Sequence, residues 1–210
     1  MTTNRVRIKM CGMMREEDIA HAATLGVDAI GLIFSPKSPR FVSITQAKKL
    51  LRKLPLFVDV VAVLDNPSSL LVDEIISELP IVWLQFHGDE SPEFCQQFKK
   101  PFIKAMQVDT AAAIYKCCEA YHQASAILLD TPSATSRGGT GQTFDWGLIP
   151  NNLDKPFILA GGLNADNVSA AVQRCSPYAV DVSSGIEESH GVKDHEKMNQ
   201  FVEAVWGRKV

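Results

Sequence analysis

Ile158-Leu159-Ala160-Gly161-Gly162 and Val180-Asp181-Val182-Ser183-Ser184-Gly185 are the two stretches that decide how this chain folds. Each is a short apolar run that ends in tiny residues. A third glycine cluster, Gly138-Gly139-Thr140-Gly141, stands just upstream. Glycine lets backbone N–H groups come close to an anion, and a helix N-terminus beyond such a loop adds a favourable dipole. Paired loops of this kind, after the last two strands of a repeating βα chain, are a recurrent phosphate site in parallel barrels. The stretches therefore predict a fold and a ligand class together. The candidate phosphate-binding residues are Gly139, Gly141, Gly161, Gly162, Ser183, Ser184 and Gly185.

Outward from them, apolar runs of strand length recur at 6–10, 29–34, 58–64, 81–86, 102–105, 126–129, 157–160 and 179–182. Most are continuously apolar, as strands buried on both faces of a parallel sheet must be. Helical spacing fills the gaps. Val72, Ile75, Ile76 and Leu79 form one stripe with Ser68 or Ser69 as N-cap, and Met198, Phe201, Val202 and Val205 form another. Ile19, Ala22 and Ala23 fit a first helix stopped at Gly26. Weaker helical patterns cover 45–53, 92–98, 110–121 and 167–174, and 145–149 is long enough for a turn or two. Eight strands alternating with helices predict an α/β fold, a (β/α)₈ TIM barrel in one domain spanning 1–210, with lean loops. An open doubly wound sheet is the alternative, weakened because Met10-Cys11-Gly12-Met13 stands where a glycine fingerprint would follow the first strand.

Composition narrows the partners. The 210 residues are 46% hydrophobic, enough for a substantial core, and the net charge of -3 offers no basic field for nucleic acid. No apolar run is long enough to span a membrane, and residues 1–10 lack a signal-peptide core. The five cysteines lack paired metal-ligand spacing and read as reduced thiols of a cytoplasmic protein. Oligomeric state is left open, and a monomer is compatible with the sequence.

In a barrel the chemistry collects at the carboxyl ends of the strands. Cys11 ends the first run, where a thiolate can serve as base or nucleophile, though a buried cysteine is more often a small hydrophobe. Asp130 ends the sixth run, a costly place for a carboxylate that is neither paired nor used. A proton donor there needs a raised pKa, whereas a base at Cys11 needs a lowered one. Arg40 follows a loop stiffened by Pro36 and Pro39, and its planar fork suits a substrate carboxylate. Asp181 shares a strand face with Ser183 and is placed to take substrate hydroxyls or an inward lysine, Lys9 or Lys104. Either lysine also keeps Schiff-base chemistry open. His87 reads as a hydrogen-bonded loop residue.

Taken in order, these blocks resemble phosphoribosylanthranilate isomerase. They are Lys9-Met10-Cys11-Gly12, Gly31-Leu32-Ile33-Phe34 with Ser38-Pro39-Arg40, Leu84-Gln85-Phe86-His87-Gly88 and Leu129-Asp130-Thr131. Gly138-Gly139-Thr140-Gly141 with Phe144-Asp145-Trp146, Leu159 through Leu163, and Val180 through Glu187 continue the match over nearly the full chain. The resemblance implies a TIM barrel of tryptophan biosynthesis that performs an Amadori rearrangement without metal or cofactor. It implies Cys11 as general base, Asp130 as general acid and Arg40 as holder of an anthranilate carboxylate. Phe86 in place of an aliphatic residue, and Leu64-Asp65-Asn66 ending strand three, depart from the family pattern and bear on packing only.

Two rival classes are kept. One is another phosphate barrel, such as indole-3-glycerol-phosphate synthase with a catalytic lysine or a sugar-phosphate epimerase. The other is a non-catalytic phosphate-ligand-binding barrel, which would need neither Cys11 nor Asp130.

Overall fold

Strands with no polar face have to be covered on both sides, and the chain meets that demand by closing its sheet on itself. The computed structural model describes residues 5–132 and 143–207. Eight parallel strands form a closed barrel in sequence order: β1 Arg7–Cys11, β2 Ala29–Ile33, β3 Asp59–Leu64, β4 Trp83–Phe86, β5 Phe102–Gln107, β6 Ala126–Asp130, β7 Phe157–Leu159 and β8 Ala179–Val182. β8 pairs back onto β1, with Lys9 opposite Asp181 and Arg7 opposite Ala179. The predicted runs all become strands, shifted by a residue or two at their ends.

Among the described residues seven helices pack outside: α1 Glu16–Thr24, α2 Ile44–Leu50, α3 Ser69–Glu78, α4 Pro92–Gln96, α5 Ala111–Ala120, α6 Val168–Cys175 and α7 His195–Trp206. Their starts follow capping chemistry. Ser43, Ser68, Ser91 and Thr110 each accept the N–H three residues ahead, and Ser43 forms a reciprocal box with Gln46. The chain leaves α1 through Gly26, whose N–H returns to Ala23 O at 3.0 Å. Met198, Phe201, Val202 and Val205 of α7 are all buried, as their spacing requires.

The strand period of two divides the core. Met10, Ile30, Leu32, Leu84 and Leu159 face outward into the layer under the helices, while Ile103, Ala105, Leu128, Ile158, Ala160 and Ala179 fill the barrel interior. Phe86 is fully buried among Phe94, Phe98 and Phe102, with ring centroids 5.9–6.1 Å away. An aromatic box thus accommodates the departure noted at that position.

One feature lies beyond the βα repeat. After β8 the chain makes a 3₁₀ turn, Ser184–Ile186, then a small antiparallel hairpin of β9 Glu187–Ser189 and β10 Val192–Lys193 before α7. The hairpin turns at His190-Gly191, a glycine-bearing two-residue connection that is itself a hairpin signal.

Candidate active site

The carboxyl ends of the strands surround a cavity of about 780 Å³, and Cys11, Arg40, His87, Asp130, Gly161 and Asp181 are in its wall. Each arrives there for a local reason.

Lys9 and Cys11 are two residues apart on β1, so both point inward. The β1–β8 register sets Lys9 beside Asp181, and Lys9 Nζ donates to Asp181 Oδ1 at 2.9 Å with both side chains buried. Burial works against the ammonium, but Asp181, with Cys11 close by, outweighs it and holds Lys9 above the usual lysine range. Lys104 is excluded as the partner because it projects outward between inward-facing Ile103 and Ala105. There it donates to Glu90 Oε2 at 2.7 Å and Gly88 O at 2.6 Å, beneath the Tyr121 ring. For Cys11 the expected lowering is corrected. Burial pushes the thiol up, and the nearby charges of Lys9 and Lys193 recover only part of that cost.

Asp130 closes β6 on the facing wall. Its Oδ1 accepts the Thr131 N–H at 2.8 Å, and its Oδ2 lies 3.2 Å from His87 Nε2. Gly161 makes this possible. At φ +82 it is in the left-handed region, and a Cβ there would come within 2.2 Å of Thr131 Oγ1, 2.5 Å of Thr131 N and 2.9 Å of Asp130 Oδ1. Gly161→Ala is therefore expected to lower the melting temperature by several degrees and to cut kcat by roughly 100-fold, because Asp130 must move. Thermal unfolding and turnover measured on the same preparation check this, and wild-type values for both would refute it.

Arg40 is buried at the rim, and its fork is already engaged. Nε and Nη2 donate to Glu187 Oε1 and Oε2 at 2.7 and 2.6 Å, and Nη2 also approaches His190 Nδ1 at 3.2 Å. Lys193 Nζ reaches the same carboxylate at 2.8 Å. Burial opposes ionisation of Glu187, but the bonds and charges of Arg40 and Lys193 prevail and its carboxyl titrates below the usual range. Gly12, at φ +74, lets the arginine stem cross the end of β1, since a Cβ there would sit 2.5 Å from Arg40 Cδ. Nη1 makes no hydrogen bond among the described residues. Sequence reasoning gave Glu187, Lys193 and His190 no part in the site. The His190-Gly191 turn signal was available to bring them back over the mouth.

Gly161, Gly162, Ser183 and Ser184 all line the cavity, and Gly185 lies in the 3₁₀ turn that follows. Ser183 Oγ and Thr131 Oγ1 are buried with no hydrogen-bond partner among the described residues. Gly139 and Gly141 lie outside the described residues.

Fold and site together define a (β/α)₈ barrel with its cavity at the carboxyl ends of its strands, the place where barrel enzymes carry their chemistry. The family model described as N-(5'phosphoribosyl)anthranilate (PRA) isomerase matches residues 8–204. N-(5'-phosphoribosyl)anthranilate isomerase of Legionella pneumophila (strain Paris) is 60% identical over 207 residues, 99% of this chain and 100% of the relative. The enzyme of the same name from Pseudomonas syringae pv. tomato is 48% identical, covering 96% of this chain and 98% of the relative. The crystal structure of phosphoribosyl anthranilate isomerase from Thermotoga maritima superposes with a TM-score of 0.90 at 35% identity, covering 97% of this chain and 100% of that one. A second such structure, in complex with reduced 1-(o-carboxyphenylamino)-1-deoxyribulose 5-phosphate, gives 0.83 at 32%, with the same coverage. The chain belongs to the N-(5'-phosphoribosyl)anthranilate isomerase family.

Proposed function

We propose that this cavity converts N-(5-phosphoribosyl)anthranilate to 1-(2-carboxyphenylamino)-1-deoxyribulose 5-phosphate by an Amadori rearrangement, the 210 residues acting as one barrel domain. The observation that carries the reading is a thiol and a carboxylic acid group on different walls of one cavity, Cys11 on β1 and Asp130 on β6. Asp130 gives a proton to the furanose ring oxygen as the C1′–O bond breaks, and the anthranilate nitrogen forms a C=N bond to C1′. The cationic imine acidifies the C2′ proton, which Cys11 removes. The enolamine then tautomerises to the ketone.

Gly161, Gly162, Ser183 and Ser184 hold the phosphate, supported by the orphaned Ser183 hydroxyl at that end of the cavity. Gly185, Gly139 and Gly141 complete the proposed phosphate loops. Arg40 holds the anthranilate carboxylate, and because Glu187 takes its Nε edge, Nη1 is the donor left for the substrate. Asp181 orients sugar hydroxyls while anchored by Lys9. That pairing also argues against Lys9 as a Schiff-base nucleophile, since the lysine is held as an ammonium.

A coupled assay that generates the labile substrate in place tests the whole reading, and intact ligand binding with no turnover would favour a non-catalytic barrel. Arg40→Ala is expected to raise KM by roughly 10- to 100-fold, the weight of one charged hydrogen bond, with a far smaller change in kcat. An unchanged KM would remove the clamp from the scheme.

A further inference from the structure

Gln85 and His87 are two residues apart at the end of β4, so both face the interior, and together they form a chain that ends on Asp130. Gln85 Nε2 meets His87 Nδ1 at 3.0 Å, and His87 Nε2 meets Asp130 Oδ2 at 3.2 Å. An amide nitrogen only donates, so Nδ1 accepts, the ring proton sits on Nε2, and Nε2–H donates to the carboxylate. Thr131 N–H donates to the other oxygen. Each Asp130 oxygen thus accepts one hydrogen bond, an arrangement that suits the carboxylate left after proton transfer. Meanwhile Gln85 Oε1 is buried and finds no donor among the described residues. An orphaned buried acceptor is costly, and a half-turn of this amide would bring it to Nδ1, where it accepts from a ring protonated there. Gln85 can therefore partner the imidazole in two protonation patterns. Asp181, from β8, is a second carboxylate whose charge interacts with that of the ring.

We infer that His87 is a proton relay that reloads Asp130, with Gln85 turning to follow the imidazole proton. The inference rests on the reading of Asp130 as the acid. Ring opening leaves Asp130 as a carboxylate. A proton from hydronium or a buffer acid enters the ring at Nδ1, which Gln85 then caps with Oε1, and the Nε2 proton passes to Asp130 Oδ2. One proton enters the ring and one leaves it. The imidazole ends neutral with its proton on Nδ1 and the carboxylate has become the acid; once Asp130 is spent, the ring takes a proton from hydronium at Nε2 and gives its Nδ1 proton to water, which regenerates the Nε2–H form. His87 acts through Asp130 and needs no contact with the substrate.

The test is turnover of His87→Ala and His87→Gln with imidazole or pyrazole added to the assay. His87→Ala is expected to lower kcat on the order of 100-fold, the scale of a lost proton-transfer group. Imidazole should restore it saturably, whereas pyrazole, a ring of the same size but a far weaker base, should not. His87→Gln keeps a donor for Asp130 yet cannot relay, so it should be as slow as His87→Ala. Rescue by both rings, by neither, or by the glutamine would overturn the relay and make His87 a spacer. Asp130→Asn separates the premise from the inference: if that variant turns over normally, the acid assignment itself fails.

Discussion

Cys11→Ala should lower kcat by about 1,000-fold or more while the dissociation constant for reduced 1-(o-carboxyphenylamino)-1-deoxyribulose 5-phosphate changes little. The thiol is the group proposed to take the C2′ proton, and its removal leaves the surrounding structure in place. Lys9 keeps its 2.9 Å bond to Asp181, and Arg40 keeps both bonds to Glu187. Turnover and binding are therefore expected to separate cleanly. A pH profile adds a second reading. Burial pushes the thiol pKa up, so below that value only a minor fraction is thiolate, and the fraction grows about tenfold per pH unit. Wild-type kcat/KM should accordingly rise with pH from neutral into the alkaline range, and the rise should be absent in Cys11→Ser. Near-wild-type kcat in Cys11→Ala, or an unchanged alkaline rise in Cys11→Ser, would take the base away from Cys11.

A thiol with a raised pKa can still serve as base because positive charges already stand beside it. Lys9 and Lys193 both lower the cost of the thiolate, and Lys9 is held protonated by Asp181. The pair under Cys11 thus places a fixed positive charge where negative charge develops, without adding net charge to the resting site. Removing one partner would strand the other in a buried position, which is far more damaging than the pair's own modest net stabilisation.

How much of this was readable in advance depended on how local its cause is. The strands were legible because a run such as 60–64 is apolar on both faces, a property of five consecutive residues. The cap at Ser68, offered together with Ser69, was equally local. The choice between Lys9 and Lys104 as partner of Asp181 was left open, although strand alternation carried part of the answer: Lys9 shares the face of Cys11, whereas Lys104 lies between inward-facing Ile103 and Ala105. The Arg40–Glu187 contact joins residues 147 apart: the His190-Gly191 turn hints at the hairpin that carries Glu187, but no pattern along the chain names the residue it meets. The same holds for the thiol of Cys11. A neighbouring lysine suggests a lowered pKa, but the outcome is decided by burial, which exists only once the barrel has closed.

Asp130→Asn should be nearly as damaging as Cys11→Ala, with kcat reduced about 1,000-fold and ligand binding retained. An amide matches the carboxylate in size, so the packing against Gly161 is kept, and a carbonyl oxygen can still take the Thr131 N–H. What is lost is the proton. In the proposed scheme the ring oxygen would then have to leave as an alkoxide, and neither the proposed phosphate loops nor the proposed Arg40 clamp can supply what is missing. The substitution also sets an amide N–H against the His87 Nε2–H that now donates to Oδ2, so the imidazole must move its proton to Nδ1 and Gln85 must turn its oxygen toward it. In the variant the ¹⁵N shifts of His87 should therefore report the Nδ1–H tautomer, against Nε2–H in the resting wild type. A dead variant with a switched tautomer supports both the acid and its connection to the ring. A variant that turns over at wild-type rate would mean the sugar ring opens without Asp130, and the acid would then have to be sought elsewhere on the cavity wall.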